Sequence, residues 1–178
     1  MKMRLPSIVA LWAGALLAAA SLSAVPKGAL LHLPLESRTI VAPIGFQLQP
    51  VELRPEVEVV VLFYSASWCA PCKQAAQALR AAYPEIAAAE PRLQLLTYSL
   101  DRSADARADY LRTTKFPWPA IAPELVGRGS WPDAIAVGTP SFQAFAVSAQ
   151  HWRAITAPGE ASDVFQQATF QLNQNQSE

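Results

Sequence analysis

Val57-Glu58-Val59-Val60-Val61-Leu62-Phe63-Tyr64-Ser65-Ala66-Ser67-Trp68-Cys69-Ala70-Pro71-Cys72-Lys73 is the stretch whose reading decides the fold. Val59 to Phe63 is an unbroken β-branched and aromatic row, the pattern of a central strand buried on both faces. From Lys73 to Tyr83 strong helix formers take over, with Ala75, Ala76, Leu79, Ala82 and Tyr83 at helical spacings. The two cysteines therefore fall where a buried strand ends and a helix begins. Unpaired N–H groups and the macrodipole at a helix start favour an anion, which makes Cys69 the candidate nucleophile in its thiolate form. Two intervening residues return Cys72 to within sulfur–sulfur reach as the resolving thiol. Pro71 suits the first helical turn, where a missing N–H costs nothing.

The rest of the chain supplies further elements of an α/β domain. Leu93 to Leu100 reads as a second, parallel strand ended by Asp101. Ser103 to Thr113 reads as a helix with Ser103 as N-cap and Ala106, Tyr110 and Leu111 inward. This order of strand, helix, strand, helix requires parallel pairing through right-handed crossovers. Phe116-Pro117-Trp118-Pro119-Ala120 is extended and cannot be helical, and it reads either as a wall of the core or as a partner-binding segment. Ser141 to Ala146 opens the next strand after Thr139-Pro140, and His151 to Thr156 pairs back as an antiparallel edge strand. Ser162 to Leu172 is a closing helix with Val164, Phe165, Ala168 and Leu172 inside, and residues 173–178 are a polar tail.

Ahead of the central strand, Arg38 to Ala42 and Phe46 to Leu53 are strand-like pieces cut by Pro43, Gly45, Pro50 and Pro55. Residues 25–55 are expected to form an N-terminal extension of edge strands or a hairpin, and residues 56–172 the main domain. Lys2 and Arg4 precede the apolar stretch Ile8 to Ala20 and the small residues Ser21, Ser23 and Ala24, the order found in a secretory signal peptide. Uncharged residues run from Leu5 to Pro26, so residues 1–24 read as a cleaved signal or as a retained membrane anchor. Both readings leave the remainder exported, which places it in the periplasm, soluble or anchored to the inner membrane.

Composition narrows the function. The 178 residues are 52% hydrophobic, enough for one well-buried domain. Lysine plus arginine and aspartate plus glutamate number 14 each, so no net field draws nucleic acid or anionic lipid. Both cysteines of the chain lie in the motif, as a redox pair would. A structural zinc needs four ligands, and His32 and His151 stand apart, so no metal or other cofactor is expected beyond the Cys69–Cys72 disulfide itself.

Phe63 to Lys73 resembles the active-site segment of thioredoxin-like proteins, closest to the tryparedoxin and nucleoredoxin type and to bacterial periplasmic thioredoxin-like reductases. The likeness extends more loosely from about Arg38 to about Gln171. It implies a thioredoxin-like fold, a central mixed sheet flanked by helices. It implies a cis bond at Thr139-Pro140, whose backbone edge would pair with substrate while Trp68 flanks the reactive sulfur, with Pro71 and Lys73 in support. A lysine at 73 reads equally as a solvated surface charge. One departure stands out: thioredoxins carry a buried aspartate six residues before the first cysteine, and that position is Phe63. Glu58, at the far end of the strand, does not replace it, and no base is assigned.

The resulting expectation is a thiol–disulfide oxidoreductase acting on protein disulfides. Ala70-Pro71 between the cysteines resembles reductases and lacks the histidine of strong oxidants, which points to the reducing side. In an oxidising compartment that role needs an electron donor, and the resemblance implies a membrane-embedded thiol relay. Three alternatives draw on the same motif. An isomerase or oxidase differs only in potential; a Cu(I)-binding thiol module would use the same sulfurs as soft ligands; and a peroxidase lacks its threonine or serine, replaced by Ala66.

Overall fold

The computed structural model describes residues 30–31, 40–127, 138–148 and 151–175. The segment read as a signal or anchor, residues 1–24, and His32 lie outside them. In chain order the elements are β1 (Leu30–Leu31), β2 (Ile40–Ile44), β3 (Gln47–Pro50), β4 (Val59–Ser65), α1 (Ala70–Ala89), β5 (Leu93–Ser99), α2 (Ala104–Thr114), β6 (Ala120–Ile121), β7 (Ser141–Val147), β8 (Trp152–Ala154) and α3 (Ala161–Gln174). The strands form one mixed sheet of eight, ordered β1-β8-β7-β4-β5-β6-β2-β3.

β4 lies inside this sheet, parallel to β5 and antiparallel to β7, and every residue along it is buried. Its side chains alternate between two cores. Val59, Val61 and Phe63 join Ala76 and Leu79 of α1, Tyr110 and Leu111 of α2, and Val164, Ala168 and Leu172 of α3. Val60, Leu62 and Tyr64 face the other way, toward Leu96, Tyr98, Phe145 and Trp152. Burial of each such side chain contributes roughly 1.5–3 kcal/mol, and an apolar residue at every position is what two cores demand.

All three described helices pack on one face. β4, β5 and β6 are parallel neighbours in that order, so the two right-handed crossovers through α1 and α2 fall on the same side. Among the described residues the opposite face is covered by Val51, Leu53 and Val57 and by Leu125 and Val126.

Four expectations need correction. β8 is not an edge strand: Leu30 and Leu31 pair outside it, opposite Arg153 and Trp152. α1 does not end at Tyr83 but runs through Pro84 to Ala89, because Ile86 beyond the proline packs onto the core. In α2 it is Ala108, with Tyr110 and Leu111, that is buried, whereas Ala106 is half-exposed. α3 continues to Gln174, so residues 173 and 174 belong to the helix rather than to a tail. The Phe116 to Ala120 segment is a wall of the core. Trp118 is 1% exposed, donates from Nε1 to Thr97 Oγ1 at 2.8 Å, and has its ring 5.1 Å from that of Phe116.

At the N-terminal side, β2 and β3 form a hairpin whose β2 pairs with β6, so these strands continue the main sheet. Gly45 supplies its left-handed turn residue, at φ +64°.

Candidate redox site

The site forms at the C-terminal end of β4. Cys69 is the N-cap of α1, with extended backbone at φ −89° and ψ 104°, and Ala70 and Pro71 fill the first helical positions. The Cys69 Sγ accepts a hydrogen bond from the Cys72 N–H at 3.1 Å, the bond that a capping serine oxygen would make. Pro71 brings no donor to a place where none is required. The helix start thus offers its free N–H and dipole to one sulfur, and that sulfur belongs to Cys69.

Cys69 and Cys72 are joined by a disulfide of 2.08 Å, with Cα atoms 5.2 Å apart. Cys72 is fully buried, whereas Cys69 keeps 4% of its surface. The two sulfurs are therefore inequivalent, and Cys69 is the one an incoming group can reach. Trp68 beside it is 63% exposed, a large aromatic surface held at the rim rather than packed into a core.

The peptide bond between Thr139 and Pro140 is cis. In the β4–β7 ladder Tyr64 faces Ser141, and continuing that register sets Pro140 and Thr139 beside the chain where it leaves β4 for the cysteines. Both residues are half-buried. Cys69, Cys72, Trp68, Thr139 and Pro140 thus gather at one end of the sheet. Lys73 is exposed in the first turns of α1, where its backbone N–H bonds the Cys69 carbonyl at 3.3 Å.

One residue of this region was missed from the sequence. Asp101, 3% exposed, holds the loop that carries the motif. Its carboxylate accepts from the Ser67 hydroxyl at 2.6 Å, from the Ser67 N–H at 3.2 and 3.3 Å, and from the Ser99 hydroxyl at 2.9 Å. An aspartate at the end of a strand gives no sign of a partner 34 residues back in the chain. The available signal was the pair of serines around the motif, which lie near the ends of adjacent parallel strands.

Phe63 occupies the place of the missing aspartate and is fully buried, stacked on Phe142 at 4.9 Å and edge-on to Phe116 at 6.3 Å. Glu58 lies at the opposite end of β4, bound to Arg92 and Asn175. Nearer the motif, Tyr110 shares a 2.6 Å hydrogen bond with Ser65, and burial raises its pKa above the ordinary phenol value. Among the described residues no group of three or more histidine, cysteine or acidic side chains is placed to hold a metal.

A bonded cysteine pair capping a helix at the end of a central parallel strand is the arrangement of a thiol oxidoreductase. Residues 57–126, from the approach to β4 through β6, match the family model described as Thioredoxin-like. Tryparedoxin II from C. fasciculata superimposes with a TM-score of 0.51 at 20% identity, over 73% of this chain and 83% of its own. A thioredoxin from Wuchereria bancrofti gives 0.52 at 19% identity, over 80% and 96%. Tryparedoxin I from Crithidia fasciculata gives 0.50 at 19%, over 68% and 80%. No curated protein sequence matches the chain. The fold of this chain is the one tryparedoxins and thioredoxins share.

Proposed function

We propose that the protein is a protein-disulfide reductase. The observation that carries this reading is the inequivalence of the two sulfurs: Cys69 Sγ sits on the helix start and keeps some surface, whereas Cys72 is sealed behind it. In the reduced protein the Cys69 thiolate attacks one sulfur of a substrate disulfide, forming a mixed disulfide and expelling the first substrate thiolate. The Cys72 thiolate then attacks Cys69 Sγ and expels the second. Two electrons pass to the substrate, whose two thiolates take up protons, and the Cys69–Cys72 bond remains. The cis Thr139-Pro140 edge pairs with the backbone of the substrate and Trp68 covers the reacting sulfurs, an arrangement that favours breadth of substrate over sequence selectivity.

The reducing direction is supported by Ala70-Pro71 between the cysteines, with no histidine to stabilise the thiolate further. The cycle closes when a dithiol donor, of the membrane thiol-relay kind, reduces Cys69–Cys72 again. Export to the periplasm is supported by the sequence of residues 1–24, and whether that segment is cleaved is read from the N-terminus of the secreted protein. Among the described residues no helix is long and apolar enough to cross a membrane.

The deciding measurement is the reduction potential of the pair at neutral pH. A value in the thioredoxin range, about −270 mV, is expected, and one near the strong oxidants, about −120 mV, would reverse the direction. Cys72→Ser should accumulate mixed disulfides on Cys69, and Cys69→Ser should accumulate none. Trapping on Cys72 instead would overturn the order of attack.

A further inference from the structure

A groove of about 520 Å³ opens between α1 and α2 and begins at the motif itself, with Ser67 and Lys73 at one end and Gln77, Arg80, Tyr110 and Thr113 along it. Its charge is one-sided. Lys73 and Arg80 bring two cations, and none of the described lining residues is acidic. Arg80 spends one N–H on the Thr114 carbonyl at the end of α2 and keeps its other donors. Gln77, exposed between the two cations, adds an amide donor. The hydroxyls of Thr113 and Thr114 are turned back onto carbonyls of α2, Ser67 donates to Asp101 and Tyr110 shares its hydroxyl bond with Ser65, so the main donors left to meet a ligand are the two cations and the amide. Asp101 lies behind Ser67 with both carboxylate oxygens engaged.

We propose that this groove binds an acidic stretch of the substrate polypeptide next to the disulfide being reduced. The inference rests on the reductase reading and adds a substrate class to it. Lys73 and Arg80 stand seven residues apart on one helix face, about 10 Å. A chain in the polyproline II conformation, with three residues per turn and about 3.1 Å of rise per residue, covers that distance in about three residues and keeps positions i and i+3 on one face. The matching segment is therefore an Asp-x-x-Asp or Glu-x-x-Glu run, with one carboxylate at each cation and the chain leading from the groove past Ser67 to Cys69. Backbone pairing at Thr139-Pro140 is blind to side-chain charge, and the groove supplies the discrimination that such pairing lacks.

The test uses the full chain reduced beforehand with dithiothreitol and freed of it, so that each turnover oxidises Cys69 and Cys72 and reduces one peptide disulfide to two thiols. Three peptides carry the same disulfide flanked by Asp-x-x-Asp, Ser-x-x-Ser or Lys-x-x-Lys, each rate being divided by that of the same peptide with dithiothreitol. Two exposed ion pairs should favour the aspartate peptide over the serine peptide by about five-fold at low salt. The preference should shrink below about two-fold at 1 M salt, where the screening length is about 3 Å. Gln77→Glu places a carboxylate between the two cations and should bring the ratio to about one. Ala78→Glu makes the same charge change at an exposed position outside the groove and should retain most of the preference. The ratio is read within each variant, so a change in overall rate does not enter it. Equal normalised rates for the three peptides, or equal loss of preference in both variants, would overturn the groove assignment while leaving the reductase standing. Failure of the reduced protein to act on any of the peptides would overturn the reductase reading itself.

Discussion

At the scale of single residues, the site depends on a carboxylate that takes no part in the chemistry. Asp101 fixes Ser67 two residues before the nucleophile, and it is buried, so its bonds are not in competition with bulk water. Asp101→Asn keeps the shape but loses one acceptor, and it leaves a buried donor of Ser67 or Ser99 unmatched. The expected cost is about 2 kcal/mol by urea unfolding. Ser67→Ala removes only the hydroxyl bond and should cost about 1 kcal/mol. Because both changes act on one shared hydrogen-bond network, the double variant should be less damaged than the sum by at least about 0.5 kcal/mol. Strict additivity would show that the 2.6 Å contact contributes nothing to stability. The bonding of Cys69 to Cys72 was legible in the sequence because it is tied to local spacing, and the cis bond at Thr139-Pro140 because its segment resembles that of thioredoxin-like proteins. Asp101 was not, because its role depends on two strand ends meeting in space.

At the scale of elements, the sequence shows where α1 begins much better than where it ends. The start is marked by a change of period, a proline in the first turn and a capping sulfur, all local signals. Pro84 suggests a stop after Tyr83, yet helix persists because Glu85 to Ala89 are good helix formers and Ile86 finds the core. The proline costs the bond its N–H would have made to the Arg80 carbonyl. Pro84 is exposed, so Pro84→Ala should restore that bond without disturbing packing and raise stability by about 1 kcal/mol. The gain is smaller than the full helix-interior penalty of about 3 kcal/mol, since alanine also frees the unfolded chain. A drop in the thermal midpoint would mean that Pro84 itself helps to seat Ile86. β1 and β8 illustrate the opposite limit: a two-residue strand carries no period of its own, so its place outside β8 could not be read from the sequence.

At the scale of the whole molecule, the sheet has helices on one face and, among the described residues, only short segments on the other. That second face has taken in polar tyrosines. Tyr64 donates to Gln143 Oε1 at 3.1 Å, Gln143 Nε2 donates to the Thr156 carbonyl at 3.0 Å, and the Tyr98 hydroxyl accepts from the Gly127 N–H at 3.1 Å. The unbroken apolar row of β4 made the two cores legible, but it gave no sign of the partner that the Tyr64 hydroxyl finds. Its environment has a consequence for stability. Burial, with the neighbouring Tyr98 adding to it, holds the Tyr64 pKa well above the ordinary phenol value. Burial does the same for Tyr110, opposed by the Ser65 hydrogen bond, reinforced by the Asp101 charge and opposed again by Arg80. Below about pH 10 both phenols are protonated in folded and unfolded chains alike, and stability owes nothing to the difference. Above about pH 10 the unfolded chain releases protons that the native protein still holds, so the free energy of unfolding falls as pH rises, until the folded-state pKa values are passed. The phenolate absorbance of the native protein should accordingly lag behind that of the urea-unfolded chain, and the urea midpoint should decline steadily from pH 10 to 11. Tyr64→Phe removes the more strongly shifted group, so its decline over that interval should be shallower even if its stability at neutral pH is lower. An equally steep decline in that variant would place the alkaline sensitivity in other groups and show that Tyr64 ionises in the native protein as freely as in the unfolded chain.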